Sequence, residues 1–421
     1  MNTAAPRVVM LLGNDLAHDS RVQREAQALA RAGYQVTVVA RLGDRPLPQE
    51  ERLGAVRVLR AAYLTRTWHR LRLPILRKAY TLATLLRYGY PQSEFCRLAA
   101  AQPADVVHAH DREMLRLGVR LARLHRARLI YDAHELHPAL VNERHRPGLS
   151  AWAIGQVLRR IDEHTERRLI HFADGTITVN ESIATAMAAT FRIPPPTVVM
   201  NCPDVTALAP TPLLREHARL PADGVAILYQ GLLAVGRGLP QLVHSIALLP
   251  GQYHLIFLGY GPLEGMLRGL VAAQGLEARV HFLPAVPPAE LLAWTAAADL
   301  GVATIEALNE SKRFATPNKL FEYLMAGLPV VASDLPEIRR IMERAQAGRL
   351  IDSVDPATIA AAIRAVVESP DYERYRRQSR AAALERYNWD VEARHLLALY
   401  AQVLAAPPRA AAQRAGAGRR R

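Results

Sequence analysis

At 421 residues and 50% hydrophobic content, the chain is long enough to bury two α/β cores, and with 22% charged and 6% aromatic residues its balance is that of an ordinary globular protein. Its formal net charge of +14 points to nucleic acid or an anionic membrane surface as partners, and nearly all of that charge is arginine, the lysines being Lys78, Lys312 and Lys319. Cys96 and Cys202 match no metal or redox spacing and read as reduced thiols, the N-terminal MNTAAPRVVMLL lacks a signal-peptide layout, and the longest uncharged run, Gly238–Leu263, is broken by Pro250-Gly251 and so is no membrane span.

The first half alternates strand and helix. Arg7–Leu12 is an apolar run closed by Gly13, Ser20–Ala32 has helical apolar spacing and stops at Gly33, and Gln35–Ala40 is a second β-branched run. Asp105–His108, Arg128–Tyr131 and Gly175–Val179 read as further short strands. Ile193–Pro212 holds six prolines and little periodicity, which marks a domain boundary, set here between residues 205 and 206.

The second half repeats the alternation. Strands are expected at Val225–Tyr229, Tyr253–Leu258, Val280–Leu283, Asp299–Thr304 and Pro329–Ala332. Helices are expected at Pro240–Leu249, Leu263–Ala273, Pro288–Ala297 and Lys319–Ala326. The second domain runs to 385, a last helix covers 386–404, and 405–421 is an Ala/Pro/Arg-rich basic tail expected to be disordered. The fold class is α/β: two Rossmann-like, doubly wound domains facing a central cleft, with ligands at the carboxyl ends of the strands.

Loops after strands are therefore where chemistry is sought. Gly231-Leu-Leu-Ala-Val-Gly-Arg-Gly238 follows one strand and precedes a helix, so its backbone N–H groups could meet a phosphate and Arg237 could add a forked charge; a plain surface turn would look the same. Gly259-Tyr-Gly261 is a weaker signal of that kind, equally a tight turn. Ser311–Ala332 says more. Asn318 is a candidate N-cap, and Lys319 and Glu322 share a helical face. A helix start with a lysine favours an anion, and a carboxylate one turn in can accept from two neighbouring hydroxyls, as on a ribose. The bland alternative is an i,i+3 surface ion pair.

Thr316-Pro-Asn-Lys-Leu-Phe-Glu-Tyr-Leu-Met-Ala-Gly-Leu-Pro-Val-Val-Ala-Ser333 resembles the donor-site signature of family-4 (group 1) glycosyltransferases of the GT-B fold. Tyr229-Gln-Gly231 to Arg237-Gly238 resembles their diphosphate loop, and Leu258–Leu263 their next strand turn. In the first half His18–Val22, His108-Ala-His110-Asp111 and Tyr131-Asp-Ala-His-Glu135 have counterparts, so the likeness covers the chain to about Leu404. It implies transfer of a sugar from a nucleotide-sugar donor, with retention and without metal or other cofactor, to a glycan or lipid-linked acceptor. His134, Lys319 and Arg237 would be catalytic. Gly231, Arg237, Gly259, Gly261, Val286, Thr316, Asn318, Lys319 and Glu322 would bind the donor, with Glu322 on the ribose. Asn14, Asp19, Arg21 and Asp111 would bind the acceptor. The chain departs from the family pattern at Phe314, where a glutamate is common, and at Leu232, where a basic residue is common.

Each first-domain residue also has a structural reading. His134 could be a strand-end histidine, Asp19 a helix cap and Arg21 a surface arginine, while His108, His110 and Asp111 could be read as a metal cluster lacking further ligand spacing. Arg60–Arg87 mixes arginines with Tyr63, Trp68 and leucines, and Arg66–Lys78 suits either a peripheral helix on the inner face of the plasma membrane or a helix packed on its own domain. Two rival functions are a nucleotide-sugar epimerase on the same architecture and a nucleic-acid binder, though no nucleic-acid module is evident. No G-x-G-x-x-G follows the first strand, which argues against a dinucleotide oxidoreductase.

Overall fold

The computed structural model describes residues 5–17, 19–42, 46–61, 94–135, 160, 163–208 and 211–406. His18, the basic segment Arg66–Lys78 and the tail from 407 lie outside the described residues. The chain forms two compact units, Met1–Val199 with Ala393–Arg421, and Met200–Glu392. One division falls inside the proline-rich stretch and the other inside the helix Trp389–Ala405. Among the described residues no helix is long and apolar enough to cross a membrane.

In the first unit the strands are β1 (Arg7–Leu12), β2 (Gln35–Arg41), β3 (Glu50–Leu53), β4 (Val56–Ala61), β5 (Val106–His110), β6 (Arg128–Ala133), β7 (Gly175–Thr178) and β8 (Thr197–Val198). They form one sheet in the order β3-β4-β2-β1-β5-β6-β7-β8. The described pairings are parallel except β3 with β4. Val8 to Leu12 are all buried, as expected of a strand covered on both faces. The helix Ser20–Arg31 starts where the Asp19 carboxylate accepts the Val22 N–H at 3.1 Å, and it turns Val22, Ala26 and Leu29 inward. The β3-β4 edge was not expected: its charged residues, among them Glu50, Glu51, Arg57 and Arg60, break the apolar pattern of the central strands.

The second unit holds β9 (Val225–Gln230), β10 (Tyr253–Leu258), β11 (Val280–Leu283), β12 (Leu300–Ala303), β13 (Val330–Ser333) and β14 (Gly348–Ile351). All described pairings are parallel, in the order β11-β10-β9-β12-β13-β14. Counted within the unit this is the 3-2-1-4-5-6 order of doubly wound dinucleotide-binding folds. Successive residues of β9 point to opposite faces. Ile227 and Tyr229 join a core with Leu242 and Ile246, while Leu228 joins one with Leu320 and Leu324. In each sheet the strand order reverses once, between β1 and β5 and between β9 and β12, and crevices for ligands form at the carboxyl ends of such strands.

Candidate active site

In the first unit, a buried ionic cluster sits at the carboxyl ends of β5 and β6. Asp132, in β6, accepts from Arg21 through both oxygens, at 3.0 Å from Nε and 3.0 Å from Nη2. Arg21 is therefore no surface residue; its Nη1 also donates to the Val199 carbonyl at 2.5 Å, and its Nε lies 3.1 Å from Glu25. Burial opposes the Arg21 charge, but Asp132 and Glu25 outweigh it and raise its pKa. Burial likewise opposes ionisation of Asp132, yet Arg21 and His134 hold it well below the usual carboxylate range. Glu25 is left with less compensation, and burial pushes it up to about 8.

His134 follows β6 and meets three groups. Its Nδ1 is 3.3 Å from Asp111 Oδ2, and its Nε2 is 3.3 Å from both Asp132 Oδ2 and His110 Nδ1. Its backbone N–H also donates to Asp111 Oδ1 at 3.2 Å. Burial pulls the imidazole down, but Asp111 and Asp132 push its pKa up to about 9, so it is an imidazolium at neutral pH. Asp111 makes these contacts from the left-handed region, at φ 61°, a conformation worth about 1–3 kcal/mol of strain in a non-glycine residue. His108 and His110 stack at 4.1 Å and are held neutral, burial being the main cause. Glu25, His108, His110 and Asp132 are spaced as metal ligands can be, but the cation set among them is Arg21. His110 Nδ1 lies 3.4 Å from Asp132, His108 Nδ1 meets the Tyr400 hydroxyl at 2.9 Å, and Asp111 serves His134. Asn14 and Asp19 shape the β1 loop: Asn14 donates to Asp19 at 2.8 Å and accepts the Leu16 N–H at 2.8 Å.

The second unit gathers its cluster at the end of β9. Gly259 and Gly261 let two loops touch: a Cβ at Gly259 would stand 2.1 Å from the Gly231 carbonyl oxygen, and one at Gly261 would stand 2.3 Å from that of Leu233. Lys319 is only 7% exposed, and its Nζ lies 3.2 Å from the centre of the Tyr229 ring. Burial and the nearby Arg237 depress its pKa well below the usual lysine value, with Glu322 opposing them. Arg237 faces the Tyr229 hydroxyl, which burial pushes up to about 12 against it. The Arg237 Nε is buried with no hydrogen-bond partner among the described residues. Glu322 accepts from the Gln230 side chain at 2.5 Å. Arg237 and Lys319 therefore stand close together at the carboxyl end of a central strand, with Glu322 opposing the burial of Lys319, an arrangement suited to receiving an anion.

Two details differ from expectation. Asn318 is not an N-cap: extended Pro317 holds that position without a side-chain bond, and Asn318 is the exposed first residue of the helix Asn318–Met325. Lys319 is not half of a surface ion pair, because the helix presents it to the Tyr229 ring. Gly231, Gly259, Gly261, Arg237, Lys319 and Glu322 fall into one locality. Thr316 and Asn318 lie at the start of the Lys319 helix, and Val286 packs partly buried against the core. Sequence reasoning quoted Asp132, Tyr229 and Gln230 within longer motifs but gave them no role, and it passed over Glu25. An acid inside the apolar strand LIYDA was the available signal for Asp132.

Comparison with known proteins gives these features a context. A family profile described as glycosyl transferases group 1 matches residues 224–369, and one described as a glycosyl transferase 4-like domain matches residues 18–203. A D-inositol 3-phosphate glycosyltransferase of Xylanimonas cellulosilytica is 31% identical over 194 residues, a match spanning 45% of each chain, so somewhat under half the length of that relative is aligned. Among solved structures, a sucrose-phosphate synthase from Thermosynechococcus elongatus superposes with a TM-score of 0.70 at 21% identity, covering 95% of this chain and 99% of that one. Anabaena HepE, solved in complex with UDP-glucose, gives a TM-score of 0.68 at 16% identity over 94% of this chain and 99% of that one. Neither an epimerase nor a nucleic-acid-binding reading is favoured by these matches.

Proposed function

Since the chain belongs to the group 1, family-4 glycosyltransferases of the GT-B fold, we propose that its donor is a nucleoside-diphosphate sugar held by Arg237, Lys319 and Glu322. The observation that carries this reading is the under-compensated pair of cations at the end of β9, with Lys319 buried and the Arg237 Nε unpartnered. A diphosphate supplies the missing negative charge, and Glu322 accepts from the ribose hydroxyls. As the bond from the sugar C1 to the diphosphate breaks, an acceptor hydroxyl oxygen bonds to C1 and gives up its proton to the departing diphosphate oxygen. The two cations stabilise the charge that develops on the leaving diphosphate. Retention of configuration, and the use of these side chains in place of a metal, follow from the family resemblance.

The acceptor is a hydroxyl of a glycan or lipid-linked glycan, taken at Asp111 and the His134 imidazolium, with Asn14, Asp19 and Arg21 shaping that locality. Arg66–Lys78 would bring the protein to an anionic, cytoplasmic membrane face; flotation with anionic liposomes should fall when its charges are removed.

A thermal-shift panel tests the donor reading. UDP-, GDP- or ADP-sugars should raise the melting temperature, and CMP-sugars, which have a single phosphate, should not. The shift should vanish in Glu322→Ala. A CMP-sugar shift equal to the best diphosphate sugar would overturn the assignment.

A further inference from the structure

Glu322 does not stand alone. Gln230, the last residue of β9, donates from its side-chain Nε2 to Glu322 Oε2 at 2.5 Å. Its own amide oxygen accepts from the Thr295 hydroxyl at 2.8 Å, and its backbone N–H donates to the Tyr323 hydroxyl at 3.2 Å. Tyr323 in turn donates to the Leu228 carbonyl at 3.0 Å, so the whole chain of bonds is anchored on β9. Gln230 is 2% exposed and Thr295 is fully buried.

The direction of these bonds is forced. An ionised carboxylate only accepts, so the Gln230 amide must aim its NH₂ at Glu322 and its oxygen at Thr295. The Thr295 hydroxyl has one proton and two acceptors within reach, Gln230 Oε1 and the Leu291 carbonyl at 2.7 Å. If that proton went to Leu291, the amide oxygen would lose its donor in a dry interior. The carboxylate thus sets the sense of the amide, and Thr295, by donating to the amide oxygen, holds the amide in place against the carboxylate.

We infer that Gln230 and Thr295 are positioning residues of the donor site, a buried relay that fixes Glu322 in the rotamer able to accept from a ribose. The inference rests on the donor reading above, in which Glu322 meets the sugar hydroxyls of the nucleotide. It makes ribose recognition depend on two residues that do not themselves touch the nucleotide.

Discrimination between ribose and deoxyribose reads this directly, because general damage to the fold weakens both ligands alike. The probes are UDP and GDP, each against its 2′-deoxy and 3′-deoxy counterparts, titrated into the full chain. The wild type should prefer the ribonucleotide by at least about tenfold, the scale of one hydrogen bond to a charged group. Thr295→Val, which keeps the shape and removes the proton, should reduce the ratio to about twofold or less, and Thr295→Ser should retain it. Gln230→Met gives a second break in the relay should Thr295→Val fold poorly, with melting temperature as the check. A ratio lost in Glu322→Ala but kept in both relay variants would overturn the relay alone. A ratio that survives even in Glu322→Ala would instead remove the ribose role of Glu322.

Discussion

The two polar clusters use charge in opposite ways. In the first unit each cation has its carboxylate: Arg21 has Asp132, and His134 has Asp111 and Asp132, which raise both pKa values. In the second unit Arg237 and burial drive Lys319 down, and Glu322 offsets them only in part. In the first cluster Arg21 and His134 are matched by carboxylates, and these pairs contribute to the fold. The second is left short of negative charge, which weakens the fold locally and favours an anionic ligand.

The sharpest way to break this contrast is to remove one cation from each. Arg21→Met leaves the buried Asp132 with only His134 against its charge and should cost about 3–5 kcal/mol in urea denaturation. Lys319→Met removes a poorly compensated charge and should leave stability unchanged or slightly higher. Similar losses in the two variants would erase the distinction.

Next in size is the effect on chemistry. Glu322→Ala should lower transfer by about 100-fold or more with the melting temperature preserved, the scale of two lost charge-assisted hydrogen bonds. Full activity in that variant would refute its donor role.

The pH response is smaller. His134 is raised from about 6.5 to about 9 and Glu25 to about 8. Both therefore add stability that is complete at lower pH and is lost as pH rises through those values. The urea midpoint should fall between pH 7 and 9. Asp111→Asn should lower the His134 pKa, seen by NMR titration, by about one unit or more.

How much of this was legible in the sequence follows from which contacts are local. The strands of the second unit could be read because apolar runs such as Tyr253–Leu258 lie between turn residues, and burial on both faces needs no alternation. The β3-β4 edge could not, since Arg57 and Arg60 are charged residues satisfied by Glu50 and Glu51 on the neighbouring strand. Lys319 and Glu322 were visible as a pair because a helix places i and i+3 together. That Lys319 is buried was not visible, because the Tyr229 ring beneath it comes from a strand many residues earlier. Asp132 is the clearest case. An acid in β6 becomes intelligible only when Arg21, 111 residues away, is brought against it.

The central claim is that Lys319 and Arg237 await a diphosphate. The most direct test compares UDP with uridine, and GDP with guanosine, for binding to the wild type and to Lys319→Met by calorimetry. The account predicts that the preferred diphosphate loses about tenfold in affinity in the variant while its nucleoside changes by less than about twofold. Equal losses for diphosphate and nucleoside, or no loss for either, would contradict it.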